Sequence, residues 1–334
     1  MSLDILNSYL YLPKNKITNS NLKRNNPSWK VDKLFLHTGV KTRHYANRNE
    51  TALDLAYKAC LIAKKKNNAF FKKIDGLIFC TQTQDHFLPS NSSILHGILN
   101  LKENIFTLDV NHGCSGFIYC LSIANSLIES KVCKNILIIN ADTYSKFINK
   151  NDRSTKLLFS DAATATLVCK SKKSKKFKCL FGSSGKNYKK LIIPAGFSRL
   201  RLSPSTKKIQ IDKSGNKKNL ENIHMDGLGI LSFVNSKVPE QIKTLLKENN
   251  LKDKDIRYYV FHQASAAALK SLKNIMSLKA QKVPIQLETG NYVSASIPAI
   301  LSDLYKKKKI KKNDKLVLSG FGVGLSWASA IYTV

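Results

Sequence analysis

Three side chains in this sequence could do chemistry together. Cys114 lies between glycines in DVNHGCSGFIYC, His262 closes the apolar run IRYYVFHQ, and Asn291 follows a glycine in GNYVSASIP. Each stands where an extended run gives way to a helical one. Thiol, imidazole and carboxamide suit carbon–carbon bond formation on thioesters. A thiolate takes the acyl group, and two nitrogen donors hold an enolate oxygen while charge develops there. At the start of a helix, Cys114 meets partial positive charge and free N–H donors that favour thiolate over thiol. Gly113 and Gly116 allow close backbone approach. Each residue alone has a plainer explanation. A buried cysteine can be a small hydrophobe, a histidine at a strand end can bond a carbonyl, and an asparagine beside Gly290 can be a turn residue. Their order and their matching junctions are what point to a reaction.

The elements that must position them repeat along the chain. ETALDLAYKACLIAKKK (50–66) puts Leu53, Ala56, Ala59, Cys60 and Ala63 on one helical face. IDGLIFCT (74–81) predicts a buried strand, a helix follows near 91–100, and NIFTLDV predicts a second strand. The Cys114 turn and a helix through Glu129 come next, and NILIINAD (135–142) is a third strand. KLLFSDAATATLVCK is expected to hold a strand, a small-residue turn and another strand. The second half repeats this order: a helix over 234–250, the strand IRYYVFHQ (256–263), the helix ASAAALKSLKNI, then VPIQ, a polar loop and a helix from about Ser296. It closes with strand, glycine turn and strand in KLVLSGFGVGLSWASAIYTV. Alternating strands and helices predict an α/β fold with mostly parallel sheets. The duplication suggests two packed sheets with helices between and outside them. The chain divides into 1–170, carrying Cys114, and 171–334, carrying His262 and Asn291. The polar stretch 170–222 is expected to form surface loops, hairpins and a lid. Ligands in such sheets sit beyond the carboxyl ends of the strands, where the three candidates converge.

Composition narrows the function classes. At 334 residues and 43% hydrophobic content the chain can bury a sizeable core. MSLDILNSYLYLPKNK has no basic region ahead of a long apolar core, and no apolar run is long enough to span a bilayer. A cytoplasmic protein with no membrane insertion is expected. Seven cysteines, none in a Cys-x-x-Cys pair or at zinc spacing, read as mostly reduced core thiols with no metal. The net charge of +33 fits nucleic acid, an anionic membrane surface, an acidic protein partner, or lysine as solvated filler. The lysines are scattered, with KKK at 64–66, KKSKK at 172–176 and KKKKIKK at 306–312, and no zinc finger or RNP motif accompanies them. No nucleic-acid partner is expected. GFGVG is not a dinucleotide loop, because a strand and not a helix follows it.

Longer motifs carry a resemblance to a known family. HTGVKTRH (37–44) is similar to R-T-G-I-x-x-R-H, DVNHGCSGF to D-V-x-x-A-C-A-G-F, and LLFSDAATATLV to an I-F-G-D-G-A-G-A segment. IHMDGLGILSFVNSKVPE is similar to H-M-x-G-x-x-V-F, FHQAS to P-H-Q-A-N, GNYVSASIP to G-N-T-S-A-A-S-I-P, and GFGVGLSWASA to G-F-G-G-G-x-T-W-G-S-A. Nearly end to end, the chain resembles the 3-oxoacyl-(acyl carrier protein) synthase III family of the thiolase-like superfamily. The resemblance implies two βαβαβαββ halves in α-β-α-β-α layers. It also implies a ping-pong acyltransferase: Cys114 is acylated by a primer thioester, then malonyl on a carrier protein loses carbon dioxide while His262 and Asn291 hold the enolate. The backbone N–H of Cys114 and one from the glycine turn, at Val323 or Gly324, would hold the oxyanion. Acyl-coenzyme A or acyl-carrier protein and malonyl-carrier protein are the implied substrates, with no tightly bound cofactor; the carrier protein and a second copy of the chain are the implied partners.

Several positions depart from the family pattern. Arg153, in NDRSTK, matches the arginine that stacks on the adenine of coenzyme A. Its tryptophan partner falls on Lys33, and the arginine before T-G is His37, so a carrier-bound primer is open. Leu88 stands where a pocket phenylalanine reaches across the dimer and limits acyl length. Ser265 and Ala267 replace an asparagine and a carrier-docking arginine. Lys270 and Lys273, one turn on, either take over that docking or form a solvated helix face. His112, where the family has a small residue, could tune the thiol, line the acyl pocket, or point away and bond backbone. Two alternatives differ in kind. One is an enzyme of this fold that passes the acyl group from Cys114 to an oxygen or nitrogen acceptor, a step that needs no His262/Asn291 pair for decarboxylation. The other is a non-enzymatic basic binder. No cysteine follows Cys179, which disfavours reversible thiolysis.

Overall fold

The computed structural model describes residues 3–171, 177–212 and 214–334, so the lysine run at 172–176 lies outside the described residues. The first half reads β1 (Leu3–Tyr11), α1 (Ala52–Lys66), β2 (Gly76–Cys80), α2 (Asn91–Ile98), β3 (Phe106–Val110), α3 (Gly116–Glu129), β4 (Asn135–Asp142) and β5 (Ala162–Lys170). The second reads β6 (Lys178–Ser183), α4 (Gly227–Glu248), β7 (Ile256–Phe261), α5 (Ala266–Ile275), α6 (Ser296–Lys306), β8 (Lys315–Gly322) and β9 (Ser326–Thr333). One sheet has the order β1-β5-β4-β2-β3 and the other β6-β9-β8-β7. In the first, β2 runs parallel to β3 and β4 while β5 is antiparallel to β4 and β1. The second sheet repeats the relations, with β7 parallel to β8 and β9 antiparallel to β8 and β6.

Period-two alternation explains the layering, since successive side chains point to opposite faces. On β2, Ile78 and Cys80 face the layer between the sheets, and Leu77 and Phe79 face α1 and α2. On β8, Leu316 and Leu318 face inward, and Val317 and Phe321 pack on α4 and α5. With both faces covered, these strands read as continuous apolar runs. The central helices α3 and α6 fill the middle with Phe117, Leu121, Ile297 and Leu301; each such burial stabilises by roughly 1.5–3 kcal/mol. The α-β-α-β-α order follows, with Cys114 just ahead of α3, Asn291 ahead of α6 and His262 ahead of α5. No helix among the described residues is long and apolar enough to cross a membrane.

The structure departs from the sequence expectation in several places, among them the helix expected from residue 234, which begins at Gly227. KLLFSDAATATLVCK holds one strand, β5, and not two. Its first part is drawn into other bonds: Ser160 N–H donates to the Asn291 carbonyl and Asp161 N–H to the His44 carbonyl. The partner of β5 is NILIINAD, so β4–β5 corresponds to β8–β9. VPIQ forms no ladder, because Pro284 has no N–H to offer one. The stretch 170–222 supplies β6 to the second sheet as well as surface loops. Cys114 lies, as expected, on the turn before α3, which begins at Gly116.

Candidate active site

Cys114 sits on a turn closed by the Gly116 N–H donating to the Gly113 carbonyl at 2.8 Å. The end of β8 passes directly against this turn. A methyl group on Gly322 would lie 2.6 Å from the Cys114 sulfur, and one on Gly320 would lie 2.6 Å from the Cys114 carbonyl, so only glycine fits at either place. The Val323 N–H and the Cys114 N–H both bond to the sulfur. Cys114 is 5% exposed. Burial pushes its thiol up to about 12, buried Asp142 acts in the same direction, and the two backbone donors oppose them. The resting sulfur is therefore a thiol. Burial thus works against the thiolate that a helix end favours.

His262 follows β7 and is fixed by its N–H donating to the Ser319 carbonyl of β8 at 2.8 Å. Its ring meets Phe321 edge-on, centroids 5.7 Å apart. Burial pushes the imidazole down to about 3, against weaker support from the Val293 backbone, so His262 is neutral at pH 7. Asn291 is buried, and its backbone is shared with the first half: its N–H donates to the Leu158 carbonyl, and its own carbonyl accepts from Ser160. Its Nδ2 lies 3.5 Å from His262 Nε2 and 3.3 Å from the Ala264 carbonyl. Its Oδ1 accepts the Val293 N–H at 2.9 Å. Val293 has φ of 53°, a left-handed backbone that costs a β-branched residue about 1–3 kcal/mol. That turn aims the Val293 N–H at Oδ1 and leaves Nδ2 toward His262.

Behind these groups Asp142 ends β4, almost wholly buried. It accepts from the Gln82 N–H at 2.8 Å and the Ser294 hydroxyl at 2.6 Å, tying the loop after β2 to the turn before α6. Burial raises its carboxyl to about 7 against these hydrogen bonds. Sequence reasoning passed over Asp142, Val293 and Ser294. The available signal was an acid closing the apolar strand NILIINAD, where a buried charge needs partners.

Cys114, His262, Asn291, Phe321 and Gly322 line one cavity of about 520 Å³. His37 also lines it, as does Leu228, which is 83% exposed at its solvent end. A second cavity of about 490 Å³ is lined by Val323, Tyr144 and Gln82, and Leu191 borders both. The other sequence candidates scatter around this centre. Arg153 is half-buried and donates to the Ser214 carbonyl; Ser154 and Ser214 line the first cavity, and Lys33 is exposed. Gly324 follows Val323 on the tight turn, with φ of 132°. Leu88 is 75% exposed and lines neither cavity. Lys270 is exposed and Lys273 half-buried on α5, whose Ala267 and Ala268 line the first cavity. His112 lines neither cavity; its ring packs on Tyr119 at 4.1 Å, with Phe181 beyond. Among the described residues no cluster of His, Cys, Asp and Glu is arranged to hold a metal ion.

The chain is similar to known proteins in sequence and fold. Residues 108–185 match the family model 3-Oxoacyl-[acyl-carrier-protein (ACP)] synthase III, and residues 246–334 match the model of its C-terminal part. The beta-ketoacyl-[acyl-carrier-protein] synthase III of Clostridioides difficile (strain 630) is 34% identical over 325 residues, 96% of this chain and 95% of that protein. A 3-oxoacyl-(acyl-carrier-protein) synthase III crystal structure superposes with a TM-score of 0.97 at 32% identity, covering 100% of both chains. The 3-oxoacyl-(acyl-carrier protein) synthase of Burkholderia xenovorans LB400 superposes at 0.92 with 31% identity, covering 100% of this chain and 94% of that one. Identity at this level, sustained along nearly the whole chain and on the same fold, makes this chain a member of the 3-oxoacyl-[acyl-carrier-protein] synthase III family.

Proposed function

We propose that this enzyme of the 3-oxoacyl-[acyl-carrier-protein] synthase III type is an acyltransferase that condenses a primer acyl group with malonyl-carrier protein. The observation that carries the proposal is a thiol, a neutral imidazole and an oriented carboxamide lining one cavity. In the first step the Cys114 sulfur attacks the primer carbonyl. Neutral His262 takes the thiol proton and returns it to the departing carrier thiol, leaving an acyl-cysteine. Malonyl then loses carbon dioxide, and the electron pair of the broken C–C bond becomes an enolate. Its oxygen accepts from His262 and from Asn291 Nδ2. The carbanion attacks the acyl-cysteine carbonyl, whose oxyanion takes the N–H groups of Cys114 and Val323 now on the sulfur. The C–S bond breaks, 3-oxoacyl-carrier leaves, and the Cys114 thiolate takes a proton from solvent. One such oxyanion donor contributes about 10²–10³ in rate. Transfer to an oxygen or nitrogen acceptor would give the carboxamide nothing to hold.

The assignment of partners extends this reading. Residues 1–170 act as the half bearing the nucleophile and 171–334 as the half bearing the enolate holders. Lys270 and Lys273 meet an acidic carrier, since the same helix starts at the cavity. Lys33 and His37 in place of an aromatic clamp favour a carrier-bound primer over coenzyme A. Phe87, Leu88, Phe197 and Leu202 are all exposed apolar groups; such a patch suits a homodimer, in which Leu88 would reach the partner's acyl cavity. A reducing cytoplasm suits seven cysteines with no disulfide. The test is to incubate the protein with acyl-coenzyme A and acyl-carrier thioesters and map the mass gain. An adduct on the Cys114 peptide, discharged as 3-oxoacyl-carrier by malonyl-carrier, is expected. No adduct there, or discharge without a 3-oxo product, would overturn the proposal.

A further inference from the structure

The wall of the second cavity nearest the nucleophile is polar. Tyr144, 6% exposed just after β4, packs its ring on Phe159 with centroids 5.2 Å apart and donates its O–H to Gln82 Oε1 at 2.7 Å. The Gln82 amide lies against the nucleophile turn. A methyl on Gly113 would meet Gln82 Oε1 and Val323 Cγ1 at 2.5 Å each. Gln82 therefore flanks the glycine before Cys114 together with Val323, whose N–H bonds to the sulfur. Cys114 and Tyr144 belong to one buried cluster, so an acyl group on Cys114 that entered this cavity would run beside Tyr144 and Gln82.

Three other polar residues of the cavity are already occupied, while Gln84 and Asn111, which also line it, make no side-chain hydrogen bond among the described residues. Lys146 donates to the carbonyls of Asn47 and Arg48, Glu221 accepts from Thr206, and Asn222 accepts from Asn149 and from the Asn219 N–H. Gln82 differs. Its backbone is held by Asp142, yet its Nε2 donates to no group among the described residues. What remains beside the nucleophile turn is an amide donor from Gln82 and a lone pair on the Tyr144 hydroxyl. One donor and one acceptor side by side complement a hydroxyl group, which accepts with its oxygen and donates its hydrogen.

We infer that Gln82 and Tyr144 form a subsite for a hydroxyl on the primer, so that the acyl group taken by Cys114 is a hydroxyacyl group and not a plain alkanoyl. The inference rests on the acylation of Cys114 proposed above. A site built to bond a substrate hydroxyl discriminates against the analogue lacking it, whose binding leaves buried polar groups unpaired.

The experiment compares 3-hydroxybutyryl and butyryl thioesters of N-acetylcysteamine, with Cys114 acylation followed by intact mass. The hydroxylated thioester is expected to react faster by about tenfold or more. Tyr144→Phe, which keeps the ring on Phe159, and Gln82→Leu should each bring the ratio toward one. Equal rates, a preference for butyryl, or a ratio unmoved in both folded variants would overturn the subsite while leaving the acylation reading standing. Where a variant does not fold, the ratio in the unmodified protein decides alone. Absence of an adduct from either thioester would overturn the acylation reading itself, and the subsite with it.

Discussion

In the first half β3 runs beside β2 and delivers Cys114 to the head of α3, so the nucleophile turn is anchored in its own sheet. The matching stretch of the second half joins no ladder. After Pro284 the Gln286 N–H is taken by the Gln263 side chain, and the Glu288 carbonyl accepts the N–H groups of Lys41 and Thr42 from the first half. Asn291 then pairs with Leu158 and Ser160, also of the first half. The duplication is thus broken where it brings the two halves together: one junction stays home and the other is handed across. The hairpins differ in the same spirit. The β8–β9 turn is short enough to place the Val323 N–H on the sulfur, whereas the β4–β5 connection carries Tyr144 and Phe159 into the cavity walls.

The two junctions should fail differently, and that is the largest effect expected. Cys114→Ala should abolish both the acyl adduct and condensation. Asn291→Ala should keep the adduct and lower condensation by about 10²–10³, the scale of a lost oxyanion donor. Rapid-quench mass measurement of the adduct, beside product formation, separates the steps. If Asn291→Ala also loses the adduct, the handed-over junction serves the nucleophile too and the contrast collapses. Gly322→Ala comes next, since its methyl would overlap the sulfur at 2.6 Å. Overpacking costs about 1–3 kcal/mol, and acylation should fall at least tenfold. A variant that acylates normally would mean the end of β8 can move away.

A third, smaller effect sets a second-half histidine against a first-half aspartate. His262 is held near 3, so the unfolded chain binds more protons as pH falls from about 6.5, and stability should drop on acidification. Asp142 is held near 7, so the folded chain keeps a proton that the unfolded chain loses above about 4. Its contribution is greatest at low pH and should be lost as pH rises to 7. Melting temperatures across pH 4–8 should show His262→Gln losing less on acidification and Asp142→Asn losing less as pH rises. Parallel curves for all three proteins would mean that neither burial shapes stability.

The layered α/β class and the central strands were legible because buried parallel strands write long apolar runs, whereas the edge strands β1 and β6, less continuously apolar, were not. What misled was local. LLFSDA has strand-forming residues, yet Asp161 takes the Ala46 and Ser145 N–H groups and turns the chain before β5. VPIQ stands where the second half would repeat the strand NIFTLDV, but Pro284 offers no N–H to a ladder. The burial that opposes a helix-end thiolate at Cys114 was not legible, because sequence does not report the depth at which a thiol lies. Asp142 and Val293 were silent for a related reason: a carboxyl shared between two loops and a left-handed valine are products of tertiary packing, not of local propensity.

The smallest effect expected concerns how the first half restrains its own nucleophile. Asp142 raises the Cys114 thiol only as a lesser influence behind burial, so removing its charge should shift reactivity modestly. Alkylation by iodoacetamide follows the thiolate fraction and should rise about tenfold per pH unit well below the thiol's pKa. At pH 8 the Asp142 carboxyl is mostly charged, and Asp142→Asn should alkylate severalfold faster than the unmodified protein. At pH 6 the carboxyl is mostly protonated and the two rates should converge. Equal rates at both pH values would show that Asp142 acts only through its hydrogen bonds to Gln82 and Ser294. The restraint on the sulfur would then be burial alone, with the first half contributing depth and no charge to the chemistry.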